Sequence, residues 1–394
     1  MLNEQMLAYG QARSVIRELF EYGNQRAREV GRERVYDFSL GNPSVTPPPE
    51  VNAAIHALLD DMDPCALHGY TSAAGDPAAR AAIAASLTRR FGMQCSAEQL
   101  YLTMGAAAGL CCCLGAVCRP GDEVITFAPL FPEYGVFIRT AGAEMRVCPP
   151  EIEGFQIDFD ALEALIGPKT AALIVNSPNN PSGAVYTRAT LERLAALLRE
   201  KAAVYGRPIY LISDEPYREI AFSGVEVPFL PGLYRDSLIV YSWSKSLSLP
   251  GERIGYVWVP SQVTDSPQVY AAVAGAGRAL GYVCAPSLIQ RLAAACCDLT
   301  ADLSVYERNA DLLVRELQAM GYTVVRPGGT FYLFPRTPIA DDAAFSRAAM
   351  EQDLLVVPGS GFFCPGHVRI SHCVPTERIQ RSLEVFQRVY RQFA

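Results

Sequence analysis

From Val35 onward, short apolar runs rich in β-branched residues alternate with longer stretches of helical periodicity, and this alternation confines the chain to few folds. Continuous apolar runs of about four to eight residues read as buried strands, and apolar residues at i, i+3, i+4 and i+7 read as one face of a helix. When the two kinds of segment take turns, each helix serves as a crossover that lets the next strand run parallel to the last. The expected fold class is therefore α/β, a mainly parallel sheet with helices on both faces. Expected strands are 100–103, 123–127, 144–148, 171–176, 209–213, 237–242 and 255–259, with helices over 106–117, 134–141, 160–165 and 187–205 between them.

The flanks read differently. In the first thirty residues Val15, Ile16, Leu19 and Phe20 fall at helical spacing and Gly31 marks a stop, which predicts a helical arm. After about residue 283, long helices over 288–297 and 301–320 precede shorter strands at 330–334, 354–357 and 367–371 and a closing helix after Pro375. This predicts a large α/β domain over 46–283 and a smaller α+β domain made of 284–394 together with 1–45.

Composition narrows the partners. Half of the 394 residues are hydrophobic and 19% are charged, so a substantial core is expected and disorder is not. The net charge of −7 comes without a basic cluster, which argues against nucleic acid. No basic-then-apolar leader opens the chain and no window approaches the roughly 18 apolar residues of a membrane span. A cytoplasmic protein acting on small molecules is expected. The twelve cysteines include the runs Cys111-Cys112-Cys113 and Cys296-Cys297, set in apolar helical stretches and not in C-x-x-C pairs, so they read as buried reduced thiols and no metal site is expected. The four histidines read as structural or surface residues.

Chemistry gathers where expected strands end. Ser242-Trp243-Ser244-Lys245 stands where a strand gives way to polar loop, with Arg253 eight positions on and Gly255-Tyr256 after it. Most lysines are solvated surface charges, but here two hydroxyls flank the amine and the turn Pro250-Gly251-Glu252-Arg253 can return a guanidinium to the same place. Asn176-Ser177-Pro178-Asn179-Asn180-Pro181-Ser182-Gly183 lies at the carboxyl end of another strand, the edge at which open α/β sheets bind ligands, although an ordinary Asx/Pro/Gly turn has the same composition. Strand 209–213 runs into Asp214-Glu215-Pro216-Tyr217, a carboxylate and a phenol on that edge. In Thr103-Met104-Gly105-Ala106-Ala107 a strand opens a helix whose free amides suit an anion. An amine able to form an imine, a carboxylate for a ring nitrogen, donors for a phenolic oxygen and an anion cradle are the parts that a pyridoxal electron sink requires.

In this order, the segments Gly105-Ala106-Ala107, Asn180-Pro181-Ser182-Gly183, Asp214-Glu215-Pro216-Tyr217, Ser242-x-Ser244-Lys245 and Arg253-x-Gly255-Tyr256 resemble the class I/II aminotransferases of pyridoxal-phosphate (PLP) fold type I. The likeness runs from Gly41-Asn42-Pro43 to Val368-Arg369-Ile370-Ser371. It implies a seven-stranded-type sheet, a smaller α+β domain, PLP as cofactor, and transfer of an amino group between an L-amino acid and a 2-oxo acid. By position, it implies that Lys245 carries the cofactor as a Schiff base and moves the substrate proton, that Asp214 pairs with the ring nitrogen, and that Asn180 and Tyr217 hydrogen-bond the phenolic oxygen. Ser242, Ser244, Arg253, Gly105 and the amides of Ala106 and Ala107 would hold the phosphate, and Phe131 would stack on the ring. Arg369, with Gly41 and Asn180 beside it, would take the substrate α-carboxylate as a bidentate pair. Tyr70 matches a tyrosine that reaches the phosphate of a neighbouring subunit, which implies a homodimer with shared active sites.

Two other functions fit the same parts. A PLP-dependent C–S β-lyase shares the lysine, aspartate and arginine, but such relatives often have a histidine where this chain has Asn179. A non-catalytic PLP sensor would need a DNA-binding module ahead of the PLP domain, where this sequence shows a short arm. Within the transaminase reading, Ala107 replaces a lysine that in some aspartate-specific members grips the second carboxylate. Phe131, Tyr134, Phe331, Phe362 and Phe363 are expected to border the cleft. Neutral or aromatic amino donors are therefore expected over aspartate, with 2-oxoglutarate as acceptor by family habit.

Overall fold

The computed structural model describes residues 2–12 and 15–394. After β1 (Tyr36–Asp37) come the strands of the main sheet: β2 (Leu100–Thr103), β3 (Glu123–Phe127), β4 (Glu144–Cys148), β5 (Thr170–Asn176), β6 (Tyr210–Asp214), β7 (Ser237–Ser242) and β8 (Gly255–Trp258). They lie in the order β2-β8-β7-β6-β5-β3-β4, and all pairings are parallel except the two made by β8. The seven strands expected from the sequence are these seven, with ends shifted by at most a residue.

Central β5 shows why its run is apolar without interruption. Leu173 and Val175 face one layer, where they meet Leu194 and Leu198 of the helix Arg188–Tyr205, while Ala172 and Ile174 face the other, against Leu110 and Cys113 of the helix Ala106–Val117. Both faces are dry, so alternation has no polar half to display. Each such leucine contributes about 1.5–3 kcal/mol by burial. Thr187 caps the helix Arg188–Tyr205 by accepting from the Thr190 amide at 3.1 Å, and Gly206, at φ +65°, ends it in the left-handed conformation.

The smaller unit is built on a three-stranded sheet of β9 (Tyr332–Leu333), β11 (Val357–Pro358) and β12 (Val368–Ser371), in the order β11-β12-β9, while β10 (Leu354–Leu355) pairs in parallel with β1. Phe38, Leu313, Leu317, Phe345, Ile370 and Phe386 form its core, so the chain ahead of residue 45 and the C-terminal third share one hydrophobic cluster. The helix Ser287–Ala295 packs instead on Pro49–Asp61 and Pro77–Phe91, with Ile289 and Leu292 in the cluster that holds Ile83, Leu87 and Trp258.

Differences from the sequence reading have local causes. Among the described residues the N-terminal arm forms the helices Glu4–Gln11 and Val15–Val30, with Ala12 extended at the end of the first. The stop at Gly31, φ +96°, falls where expected. Helices Pro49–Asp61, Pro77–Phe91 and Ser266–Ala279 were not legible as periodic segments. Alanine makes up much of the inward face of Pro77–Phe91, which mutes the apolar period, although Asp76 caps it and Pro77 opens it. All twelve cysteines are unpaired, and Cys112 and Cys113 are fully buried among aliphatic side chains.

Candidate active site

Four strands deliver their carboxyl ends to one edge of the sheet. The register pairs Asn176 with Asp214 between β5 and β6, and it sets Gly255 opposite both Thr103 of β2 and Ser242 of β7. Because β8 runs antiparallel, its start lies at the edge where its neighbours end. Arg253, two residues ahead of it, is thereby placed beside Gly105. A cleft of about 280 Å³ opens there.

Along its floor stand Lys245, Ser242, Ser244, Asp214 and Tyr217, with Asn180 and Phe131 around them and Ala106 and Ala107 at the mouth of their helix. Arg253, Arg369 and Gly41 complete the expected set within this one cleft. Gly105 lies directly behind Arg253: at φ +82° it adopts a conformation that costs a side chain dearly, and a Cβ there would stand 2.7 Å from the Arg253 Nη2. No side chain caps the helix Ala106–Val117, so its first amides remain for an anion, with the guanidinium beside them. Tyr70 is the exception. Its side chain is fully exposed on the loop after the helix Pro64–His68 and does not line the cleft of its own chain.

Burial sets the charges. The Lys245 Nζ donates to the Gly41 carbonyl at 2.9 Å. Its amine is pushed down to about 8 chiefly by burial; the Cys373 thiol acts in the opposite sense, and the Arg253 and Arg369 guanidinium groups in the same one. A lysine so placed has a substantial neutral, nucleophilic fraction near neutral pH. Asp214 is 5% exposed, and burial pushes its carboxyl up to about 7, against the hydrogen bond from Tyr134. Its Oδ2 accepts from the Tyr134 hydroxyl at 2.5 Å and faces the Asn176 Nδ2 at 3.5 Å, while its Oδ1 is buried with no partner among the described residues. A buried carboxylate oxygen left without a donor costs free energy unless a cationic or N–H group occupies the space before it, which is what a protonated ring nitrogen provides.

Arg369 is buried and, among the described residues, meets no carboxylate. Its Nη1 donates to the Asn180 Oδ1 at 3.1 Å and its Nη2 to the Ser39 carbonyl at 2.5 Å, and its Nε has no partner among the described residues. A fully desolvated guanidinium held only by neutral acceptors is matched to an anion from outside the chain. Tyr217, its phenol pushed well above the ordinary value by burial, keeps its proton and stands 3.3 Å from the Tyr332 hydroxyl.

The sequence reading missed Asn176, Tyr332, Leu40 and Ile16, all of which line the cleft. Asn176 was available as the last residue of a strand at the ligand edge. Tyr332, Leu40 and Ile16 carry no local signal. Of the five aromatics expected to border the cleft, only Phe131 does. Tyr134 is buried behind Asp214; Phe331, fully buried, lies 5.5 Å from the Lys245 Nζ, and Phe362 lies behind Arg369. Phe363 is exposed elsewhere. The rings of Tyr134, Phe331 and Phe362 serve the core and the charged groups behind the cleft, whose lining combines the aliphatic Ile16, Leu40 and Leu110 with Phe131, Tyr217 and Tyr332.

Comparison with known proteins agrees with this arrangement. Residues 33–386 match the family model of aminotransferase class I and II. The chain is 34% identical over 387 residues to an aspartate/prephenate aminotransferase of Thermus thermophilus, covering 93% of this chain and 94% of that protein. It is 28% identical over 399 residues to aromatic-amino-acid aminotransferase 2 of Thermococcus litoralis, covering 96% of each. The crystal structure of an amino transferase from Eubacterium rectale superposes with a TM-score of 0.98 at 52% identity, covering 100% of this chain and 99% of that one. With its seven-stranded, mostly parallel sheet and its strand-end cleft, the chain belongs to the class I and II aminotransferases, enzymes that use pyridoxal phosphate.

Proposed function

We propose that this aminotransferase binds PLP in the cleft with Lys245 as its covalent anchor, and that it moves an amino group between a neutral or aromatic L-amino acid and a 2-oxo acid. The observation that carries the reading is the convergence in one cleft of a buried amine with a lowered pKa and, among the described residues, a carboxylate oxygen without a donor and an arginine without a carboxylate. When bound, PLP supplies an electron sink for the pair left at the substrate Cα. The rest is the work of side chains. Arg369 binds the α-carboxylate and so fixes which substituents of Cα face Lys245. The Lys245 Nζ, depressed toward 8, would carry the proton between the substrate Cα and the cofactor's C4′ carbon, the shift that amino-group transfer requires. Asp214 holds a proton on the ring nitrogen, Tyr217 and Asn180 donate to the ring hydroxyl, and Arg253 with Ser242, Ser244 and the amides of Ala106 and Ala107 holds the phosphate.

The apolar part of the cleft lining includes Ile16, Leu40, Ala107, Leu110 and Phe131, and a substrate side chain would lie against it. An apolar side chain gains about 25 cal/mol per Å² buried against such a wall, whereas a second carboxylate is costly to desolvate there. The relative named for aspartate and prephenate is 34% identical and the one named for aromatic amino acids 28%, so the neutral preference is supported by this wall and not by the relatives' names. The proposed acceptor is 2-oxoglutarate. The proposed assembly is a cytoplasmic homodimer in which Tyr70 serves the partner's phosphate, and the proposed division places 46–283 around the cofactor with the remainder as the smaller domain, apart from the helix Ser287–Ala295, which packs on the larger one. No described helix is long and apolar enough to cross a membrane.

The test is kcat/KM for phenylalanine, tyrosine, methionine, alanine and aspartate at fixed 2-oxoglutarate, with keto acid, pyruvate and ammonia followed separately. Keto acid without ammonia, and aspartate among the poorer donors, is expected. Ammonia with pyruvate would indicate elimination of the lyase kind. A tenfold preference for aspartate, about 1.4 kcal/mol of transition-state stabilisation, would overturn the substrate reading.

A further inference from the structure

Tyr332 is 3% exposed yet lines the cleft, and its position follows from register. It pairs with Ser371 across β9 and β12, and Arg369 projects from the same face of β12 as Ser371, two residues earlier. Tyr332 and Arg369 are thus diagonal neighbours, close enough for a ring to meet a long side chain. The Arg369 guanidinium carbon lies 4.6 Å from the Tyr332 ring centre and 4.9 Å from that of Phe362. The Tyr332 hydroxyl points the other way, to the Tyr217 hydroxyl at 3.3 Å, and it packs on the Gly41 Cα so closely that any Cβ at position 41 would collide with it. Gly41 in turn accepts from Lys245. One side chain therefore touches the arginine, the phenol and the backbone that holds the lysine.

We propose that Tyr332 is a positioning residue with two separable roles: its ring backs Arg369 for carboxylate binding, and its hydroxyl orients Tyr217 toward the cofactor's phenolic oxygen. This rests on the site reading given above. A guanidinium stacked on an aromatic face is poorly hydrated and gives up less water when a carboxylate arrives. Of two buried phenols in contact, only one donates to the other. When Tyr332 donates, the Tyr217 hydrogen is free for the cleft.

The experiment uses the PLP-loaded enzyme without amino acid. It measures the proton affinity of the Lys245–cofactor linkage from its absorbance across pH, and the dissociation constants of acetate and 3-phenylpropionate, which carry a carboxylate but no amino group. Tyr332→Phe keeps the ring and loses the hydroxyl. It should raise the linkage pKa by about half a unit to one unit, the loss of one modest hydrogen bond, and leave both dissociation constants within about twofold. Tyr332→Leu loses both and should in addition weaken carboxylate binding roughly tenfold. Tyr332→Met supplies the same comparison should the Leu variant not fold. An unmoved linkage pKa in the Phe variant, or carboxylate binding as tight as wild type in a folded variant without the ring, overturns the proposal. A wild-type protein that takes up PLP without a titrating lysine linkage overturns the site reading itself, and with it this one.

Discussion

Asp214 offers a stability test of the site that needs no substrate. The residue is 5% exposed, its Oδ1 has no donor among the described residues, and burial raises its carboxyl from 3.8 to about 7. At 1.36 kcal/mol per pKa unit, a rise of this size costs the cofactor-free fold roughly 4 kcal/mol at most once the group must ionise. The sign follows from proton counts. Between about pH 4 and 7 the folded protein holds a proton on Asp214 that the unfolded chain has released, so stability falls as pH rises through this window, and the contribution is constant above it. Asp214→Asn keeps the shape and the contacts with Tyr134 and Asn176 but has no charge to bury. Urea unfolding of the cofactor-free proteins at fixed concentration and at pH 4.5, 5.5, 6.5 and 7.5 should show the Asn variant gaining on wild type with each step. The gap should reach a few kcal/mol at pH 7.5. Adding PLP should reverse the order, because a protonated ring nitrogen before Oδ1 repays the ionised carboxylate and does not repay the amide. A gap that is constant with pH, or a wild type that is the more stable at pH 7.5 without cofactor, would refute the reasoning.

Three further outcomes are expected. Borohydride reduction of the PLP-loaded protein should leave the pyridoxyl group on the peptide containing Lys245, and Lys245→Ala should keep PLP non-covalently while losing turnover; label on another lysine removes the anchor assignment. Gly105→Ala should weaken PLP binding about tenfold, because φ +82° strains the backbone and the new Cβ displaces Arg253, and equilibrium dialysis reads this directly. Because the exposed Tyr70 is proposed to serve a partner's cofactor, mixing inactive Lys245→Ala with an inactive Tyr70→Ala protein should restore part of the activity through hybrid dimers, and no recovery after subunit exchange would count against a shared site.

What the sequence disclosed, and what it withheld, divides along physical lines. Strands β2 to β8 were legible because a strand buried on both faces must be apolar throughout and must end abruptly in residues that turn. The catalytic candidates were legible for the same reason: Asp214, Lys245 and Asn180 sit where those runs stop, and the carboxyl edge of a parallel sheet is where a ligand can reach several strand ends at once. The Ala-rich helix Pro77–Phe91 was hidden because small residues pack closely without a strong apolar period. Contacts between distant segments were hidden more deeply. Tyr134 was read as cleft wall, yet its hydroxyl lies behind Asp214, 80 residues away in sequence; Tyr332 meets Tyr217 across 115 residues, and Ser39 meets Arg369 across 330. Local pattern encodes which face of an element is dry, and it encodes nothing about which dry faces meet. The parts of the site that follow from one strand's end could therefore be read from the chain, while the groups that tune their charge depend on tertiary packing. Substrate choice is of the second kind, since Ile16, Leu40, Ala107 and Phe131 come from four separate segments that only the folded chain brings to one wall.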